Sequence, residues 1–260
     1  MTWTPDLSRI LTNLLQTNQP FADVVVIECI GSAPQGVGAR MLVLDNDTIH
    51  GTVGGGRFEW EVMRAAREAL AEGKPRLVRY DLGKDLNMGC GGTMAAFIEP
   101  HMPAERVIIY GAGHCSRALA PLLSNAGFRV RVVDPRADIM ASAGFTDDVD
   151  KVEADPGEDA SQAIRASDWI LVMTHDHAHD IFVLRSALPR KPRFIGVMAS
   201  TRKAQKFRRT LIGEGFAEKD LDAVHMPVGL DIGAVGPEEI AVSITAQLIR
   251  ARRAANDNEA

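Results

Sequence analysis

A short apolar run that ends in Gly-Ala-Gly and passes at once into a helical pattern constrains this chain more than any other feature. Residues 107–110 have the length and composition of a buried strand, and leucines at 119, 122 and 123 follow at helical spacing. A second apolar run, 130–133, ends at Asp134. This order predicts a strand, a glycine turn, a helix and a second strand that ends in an acid, as in nucleotide-binding α/β domains.

The residues of this stretch also predict how a nucleotide would be held. Gly111 permits the tight turn, and Gly113 lets the backbone approach a pyrophosphate because no Cβ stands in the way. The amides at the start of the helix favour a phosphate. Asp134 suits a ribose hydroxyl, with a preference for NAD over NADP that neighbouring Arg136 weakens. The alternative is a tight turn between strand and helix that binds no nucleotide.

Composition sets the class of protein. The chain has 260 residues, enough for one large or two ordinary domains. Its net charge of −5, without a long basic run, argues against nucleic acid or an anionic membrane as the main partner. Its start lacks the basic and apolar regions of a signal peptide, and no apolar run is long enough to span a bilayer. We therefore expect a cytoplasmic protein with no integral membrane segment.

Three cysteines at scattered positions do not form the pattern of a disulfide framework. Cys29 lies in an apolar strand and is expected in the core. Cys115 is a candidate cofactor-binding residue at a helix start, where the dipole lowers a thiol pKa, although packing beneath the helix is the favoured role of its side chain. Cys90 is followed by Gly91 and Gly92, and the amides of such a loop can stabilise a thiolate that attacks or binds a soft metal. The alternative for Cys90 is a small residue in a tight turn.

The pattern of strands and helices predicts two domains. Residues 1–102 are expected to form a smaller α+β domain. Its longest helix is predicted to have an apolar face made of Trp60, Met63, Ala66 and Leu70. Residues 103–253 alternate strand and helix and are expected to form a Rossmann-like, doubly wound parallel sheet. Pro100 and Pro103 bracket the predicted boundary, and residues 254–260 are expected to be a disordered tail.

Ligands of doubly wound sheets bind beyond the carboxyl ends of the strands. Two further loops are predicted at that edge, and they supply the candidate cofactor-binding residues Thr174, His175, His177, Ser200 and Lys203. The histidines and aspartates of 174–180 also allow a metal site, which the spacing disfavours because alternate residues of a helix do not share a face. Capping of the next helix is the plainer alternative. The basic helix 202–212 is predicted to be a solvated face, from which Arg202 and Lys203 can reach a phosphate.

A second glycine run, Gly54-Gly55-Gly56, also precedes a predicted helix. Its amides can bind an anion, and Glu59 in the first helical turn can interact favourably with the helix dipole. A purely conformational role for these glycines is the alternative.

Seven stretches carry a further signal: GSAPQGVGARMLV (31–43), GTVGGGRFE (51–59), MGCGG (88–92), GAGH (111–114), THDHAHD (174–180), IGVMASTRK (195–203) and PVGLDIGAVGPEEIA (227–241). Together and in this order they resemble the XdhC/CoxF family of xanthine dehydrogenase accessory proteins. The resemblance runs over nearly the whole chain, which makes it specific at the level of the family.

The resemblance implies a maturation factor with no steady turnover of its own, built from a small N-terminal domain and a Rossmann domain. Such a factor is expected to bind molybdenum cofactor, to support exchange of an oxo ligand for sulfur with a cysteine desulfurase, and to deliver the cofactor to an apo molybdenum hydroxylase such as xanthine or CO dehydrogenase. The resemblance points to Cys90 for contact with molybdenum or sulfur. It points to Gly111, Gly113, His114 and Asp134 for the nucleotide-like part of the ligand. It also implies a homodimer.

Two departures from the family leave the form of the ligand open. Some members carry two adjacent cysteines where this chain has Gly89-Cys90, and the third position of the glycine fingerprint is Ser116. Xanthine-dehydrogenase-type targets use the plain pterin cofactor (molybdopterin). CO-dehydrogenase-type targets use its cytosine dinucleotide, which a dinucleotide-shaped site suits better. The alternatives are an NAD(P)- or FAD-binding oxidoreductase, although no clear proton donor and substrate-binding pair exists beyond the histidine loop, and a nucleotide sensor that docks on another protein.

Overall fold

A computed structural model of the chain describes residues 4–46, 48–89, 91–141 and 144–258. The chain separates into two compact units, Met1–Pro103 and Ala104–Ala260. Cys90, the residue to which the sequence assigns contact with molybdenum or sulfur, lies outside the described residues.

The first unit is an antiparallel sheet with helices packed against it. Its elements are α1 (Pro5–Thr17), β1 (Phe21–Ile30), β2 (Arg40–Leu44), β3 (Ile49–Gly51), α2 (Gly56–Glu72), β4 (Arg76–Asp81) and β5 (Thr93–His101). The strands lie in the order β3-β2-β1-β5-β4. Strands β2 and β3 form a hairpin, in which they pair antiparallel with Met41 opposite Gly51.

The two helices of this unit pack on opposite faces of the sheet. Side chains of α2 pack with Val24 and Val26 of β1, whereas α1 packs with Phe21 of the same strand, and neighbouring residues of a strand alternate between faces. The predicted apolar face of α2 is partly wrong. The helix buries Phe58 and Val62 instead, while the Trp60 side chain is exposed.

The second unit is a doubly wound parallel sheet. Its elements are β6 (Arg106–Tyr110), α3 (His114–Asn125), β7 (Arg129–Val133), α4 (Ala137–Ala141), β8 (Asp150–Val152), α5 (Pro156–Ala163), β9 (Trp169–Val172), α6 (His177–Ala187), β10 (Phe194–Val197), α7 (Thr201–Gly213), α8 (Glu218–Asp222), β11 (Val224–His225) and α9 (Pro237–Asn258). The strands lie in the order β11-β10-β9-β6-β7-β8, and every pair is parallel. This confirms the predicted fold class.

Two boundaries of this unit differ from the sequence prediction, and three of its short elements, α4, α8 and β11, have no counterpart in that prediction. Helix α6 begins at His177, inside the segment predicted to be a loop. Helix α9 continues to Asn258, past the predicted end at Arg253 and into the segment predicted to be a disordered tail. Among the described residues there is no helix with the length and apolarity required to cross a membrane.

Candidate functional site

The strand order of the second unit reverses between β6 and β9, and this reversal defines where a ligand can bind. Helix α3 leaves β6 and packs on one face of the sheet, where its Leu119 joins the core that contains Ile109. Helix α6 leaves β9 and packs on the other face, where its Leu184 joins the core that contains Ile108. A crevice therefore opens at the carboxyl ends of these two neighbouring strands, the usual ligand position in such sheets.

The two predicted glycines of the turn after β6 have different physical roles. Gly111 has a φ of +111°, and a Cβ at this position would lie 2.4 Å from the carbonyl oxygen of Met173. Gly113 has an extended conformation with a φ of −70°, and a Cβ there would meet no atom within 4 Å. The fold itself requires glycine at 111. At 113 the absent side chain leaves open space in front of the backbone, as the predicted approach of a phosphate needs.

Helix α3 begins without a side-chain cap, which leaves amides available at this crevice. Three of the helices that follow the other strands, α5, α6 and α7, begin with the capping residues Asp155, Asp176 and Ser200. Gly113 stands at the cap position of α3 and offers no side-chain acceptor. Within the described part of the chain, no acceptor receives the N–H groups of Gly113, His114 or Cys115. These amides, together with the helix dipole, favour an anion at the turn.

Asp134 follows β7 and lies against the turn, but its carboxylate is already occupied. The side chain is 1% exposed. Its Oδ2 accepts from the Ala112 N–H at 2.8 Å and from Arg136 at 2.7 Å, and its Oδ1 accepts from the backbone and side chain of Arg136 at 3.0 and 2.8 Å. Burial by itself would raise the pKa of Asp134, but the bonds from Arg136 and Ala112 outweigh it and lower the pKa to about 2.

These bonds bear on the predicted contact of Asp134 with a ribose hydroxyl. The four protein hydrogen bonds use the acceptor sites of the carboxylate, so a ribose hydroxyl would have to displace Arg136. The contact stays a prediction. In the structure as it stands, Asp134 connects the glycine turn after β6 to the end of β7.

The two predicted residues at the start of α3 have different surroundings. The His114 side chain is exposed, whereas Cys115 is half-buried and packs against the core that α3 shares with α9. Burial raises the pKa of the Cys115 thiol, and the nearby Glu238 carboxylate raises it further. The thiol is therefore held protonated against the effect of the helix dipole.

The loop between β9 and α6 is organised by buried Asp180. Its Oδ1 accepts from the Thr174 hydroxyl at 2.7 Å, and its Oδ2 forms an ion-pair contact with the Lys203 Nζ at 2.7 Å. The side chain of Asp180 is 1% exposed. Two residues predicted to bind a cofactor, Thr174 and Lys203, thus meet at one buried carboxylate.

The remaining residues of the histidine segment face different neighbours. Asp176 caps α6 by accepting from the Ala178 N–H at 2.9 Å, as the plainer alternative predicts. The Nε2 of His179 lies 3.2 Å from Asp155, while His175 and His177 are exposed. No cluster of three or more metal-binding side chains occurs in the described ranges of the chain.

The loop after β10 brings Ser200 and Lys203 to the same edge of the sheet. Ser200 caps α7 by accepting from the Lys203 N–H at 3.3 Å. Both residues line a cavity of about 520 Å³ together with four other residues of α7: Arg202, Gln205, Lys206 and Arg209. Of these four, Arg202 alone was predicted from the sequence to contact a phosphate. A sequence signal for this cavity existed, because the basic residues recur on one helical face, but the same pattern is typical of a solvated surface.

In the first unit, the glycine run before α2 already holds an anion of its own. The Oε2 of Glu59 accepts from the Val53 N–H at 3.1 Å, from the Gly55 N–H at 3.2 Å and from the Thr52 hydroxyl at 2.5 Å. The carboxylate of the helix therefore fills the position that an external anion would take.

Gly91 and Gly92, predicted to help bind a cofactor beside Cys90, also differ from each other. A Cβ at Gly92 would lie 2.3 Å from the carbonyl oxygen of Ser32, so this close approach requires glycine. A Cβ at Gly91 would meet no atom within 4 Å.

The chain is similar to known proteins over both of its units. Residues 107–248 match the XdhC Rossmann domain, and residues 14–81 match the XdhC and CoxI family. A solved structure from Bacillus halodurans, described as a xanthine dehydrogenase, is 26% identical, covers 95% of each chain and has a TM-score of 0.55.

Three curated relatives extend this comparison. The uncharacterized protein YqeB of Escherichia coli is 33% identical over 92% of this chain and 45% of its own length. A Bacillus subtilis protein, named as a probable xanthine dehydrogenase subunit, is 33% identical over 62% of this chain and 47% of its own length. The molybdenum cofactor insertion chaperone PaoD of E. coli is 21% identical over 94% of this chain and 87% of its own length. The chain spans about half the length of the first two relatives.

Proposed function

We propose that this chain, which belongs to the XdhC and CoxI family, is a maturation factor that binds molybdenum cofactor and delivers it to an apo molybdenum hydroxylase. The observation that carries the proposal is that both units match this family, whose similar proteins include one named as a molybdenum cofactor insertion chaperone and one named as a probable xanthine dehydrogenase subunit. The cofactor is the cargo of such a factor.

The geometry of the second unit supports a cargo that carries phosphate. The amides of Gly113, His114 and Cys115 are without acceptors in the described part of the chain, and the space where Gly113 has no side chain is open. Thr174 and Lys203 stand at the neighbouring strand ends, held by Asp180. A phosphate can be received at the turn with little rearrangement, whereas recognition of a ribose by Asp134 requires Arg136 to move.

The finer parts of the proposal rest on the resemblance. Cys90 is proposed to contact molybdenum or sulfur, with a cysteine desulfurase as the sulfur donor and the two-chain form as the working state. Both the plain pterin and the cytosine dinucleotide carry the phosphate that the turn would receive. An NAD(P)- or FAD-binding oxidoreductase would use the same turn, so the identity of the bound molecule separates the two functions.

The first test is to identify what the purified protein retains. We expect denaturation of the full chain to release a pterin together with molybdenum, measured by fluorescence after oxidation and by elemental analysis. Gly113→Val should reduce this retention at least about tenfold, because the new side chain fills the open space before the amides. Gly213→Val is the matched control, since a Cβ at this position in α7 also meets no atom within 4 Å. Release of a nicotinamide or a flavin without pterin would overturn the proposal.

A second test addresses Cys90. We expect Cys90→Ser to abolish activation of the molybdenum hydroxylase when the two are co-expressed, with the unfolding midpoint unchanged. Cys29→Ser is the control, because the Cys29 thiol donates to the Gln35 carbonyl inside the first unit. Normal activation of the hydroxylase by the Cys90 variant would remove this residue from the function.

A further inference from the structure

Helix α7 carries a row of basic residues that is not part of the glycine turn after β6. Arg202, Lys206 and Arg209 follow one another at intervals of four and three residues and so share a helical face. All three side chains are exposed and line the cavity of about 520 Å³, with Ser200 and His177 at its end nearest the sheet.

The charges of this row are not balanced by the protein. No carboxylate among the described residues pairs with Arg202, Lys206 or Arg209. Two other arginines on this face of the sheet are paired, Arg208 with Asp222 and Arg185 with Glu214, each at 2.5 Å. Like charges one helical turn apart repel each other. In a chain with a net charge of −5, an unbalanced row of this kind marks a place for an anion from outside.

The end of the cavity nearest the sheet is held in place by contacts to a buried carboxylate and by a helix cap. Buried Asp180 holds the Lys203 Nζ at 2.7 Å and the Thr174 hydroxyl at 2.7 Å, and Ser200 caps the helix at the cavity wall. Asp180 balances the charge of Lys203. A ligand's negative charge would therefore be balanced by the three cations of the row, with the dipole of α7 adding to them.

We propose that this cavity is a second phosphate subsite, which binds the pyrophosphate group of a small molecule through Arg202, Lys206 and Arg209. Guanidinium groups match phosphate oxygens in a bidentate arrangement, and three cations suit a multiply charged group better than a single carboxylate. Among the described residues that line the cavity, His177 supplies the sole aromatic ring, so the site recognises phosphate rather than a base. Helix α7 packs on the face of the sheet opposite α3, and the lining residues of the cavity include none of the Gly111–Gly113 turn.

The inference goes beyond the proposed function and does not depend on the identity of the cargo. The probe is inorganic pyrophosphate, titrated calorimetrically into the full-length chain at two salt concentrations. We expect the triple variant Arg202→Gln, Lys206→Gln, Arg209→Gln to bind it at least about tenfold more weakly, and higher salt to weaken binding to the unaltered chain. Arg208→Gln is the control, because Arg208 points away from the row and pairs with Asp222, and its loss should leave affinity within about twofold.

Equal affinity of the triple variant and the unaltered chain for pyrophosphate, with both folded by circular dichroism, would overturn the subsite. Loss of pyrophosphate binding in Gly113→Val, together with that result, would place the anion at the glycine turn instead. Retention of pterin is measured separately, so failure of the proposed function and failure of this subsite give different results.

Discussion

Two glycine runs precede helices in this chain, and they satisfy their amides in different ways. Before α2, the Glu59 carboxylate on the helix itself accepts from the backbone of the run. Before α3, Asp134 comes from the next strand and accepts from Ala112, while the amides of Gly113 and His114 have no acceptor in the described chain. The amides of the first run are bound by a carboxylate of the protein itself, whereas those of the second run are available to a ligand.

The difference shows that a glycine run before a helix marks available amides without revealing what fills them. In the first unit an acid at the fourth helical position bends back over the loop, as capping acids do. In α3 the fourth position is Arg117, and no side chain caps the helix. An external anion is therefore expected at the second run and excluded at the first by Glu59.

The largest expected effect is a difference in stability between alanine variants of Gly111 and Gly113 in the turn before α3. Gly111→Ala should lower the free energy of unfolding by about 3–5 kcal/mol, because φ is +111° and the new Cβ would lie 2.4 Å from a carbonyl oxygen. Gly113→Ala should cost less than about 1 kcal/mol, because its conformation suits any residue. Chemical denaturation of both variants measures this. Equal losses would contradict the assignment of distinct roles to Gly111 and Gly113.

The next effect tests whether Glu59 closes the first run. Glu59→Ala should lower stability by about 2–3 kcal/mol, because two amides and a hydroxyl lose a charged acceptor. Added formate should restore part of the loss by occupying the vacant amides. The control Glu72→Ala removes a carboxylate that is half-exposed and pairs with Arg76, so it should cost less than about 1 kcal/mol and show no rescue. A Glu59 variant as stable as the control would mean that the amides before α2 do not need the Glu59 carboxylate as an acceptor.

The smallest effect concerns acid stability at the open turn. The folded pKa of Asp134 is about 2, below its ordinary value of 3.8. Its ionised form therefore stabilises the fold above pH 4 and loses this contribution as the pH falls from about 4 to 2. The shift corresponds to roughly 2 kcal/mol, so Asp134→Asn should lose about that much at neutral pH. The difference in the free energy of unfolding between the unaltered chain and the variant should disappear on acidification. Urea unfolding at several pH values measures this difference. A difference that stays constant down to pH 2 would contradict this role for Asp134.

The sequence predicted those elements that local signals define. Helix α1 begins with Thr4 as its cap and a proline in its first turn, and β6 and β9 are continuous apolar runs, so their existence follows from nearby residues. Helix α8 has five residues and no repeating apolar face, which leaves nothing for periodicity to detect. The start of α6 at His177 does not follow from the sequence pattern, because its cap Asp176 and the first helical residues are polar and continue the polar run of the loop.

The sequence by itself determined the doubly wound sheet, the glycine turn and the family. These depend on apolar spacing and on glycines whose conformational need is local. Tertiary structure decided which carboxylate meets which donor. Asp134 reaches the Ala112 amide across 22 residues, and Asp180 reaches Lys203 from a different helix. Such pairings depend on how strand ends converge in space, and hydrogen bonds act over about 3 Å whatever the distance along the chain.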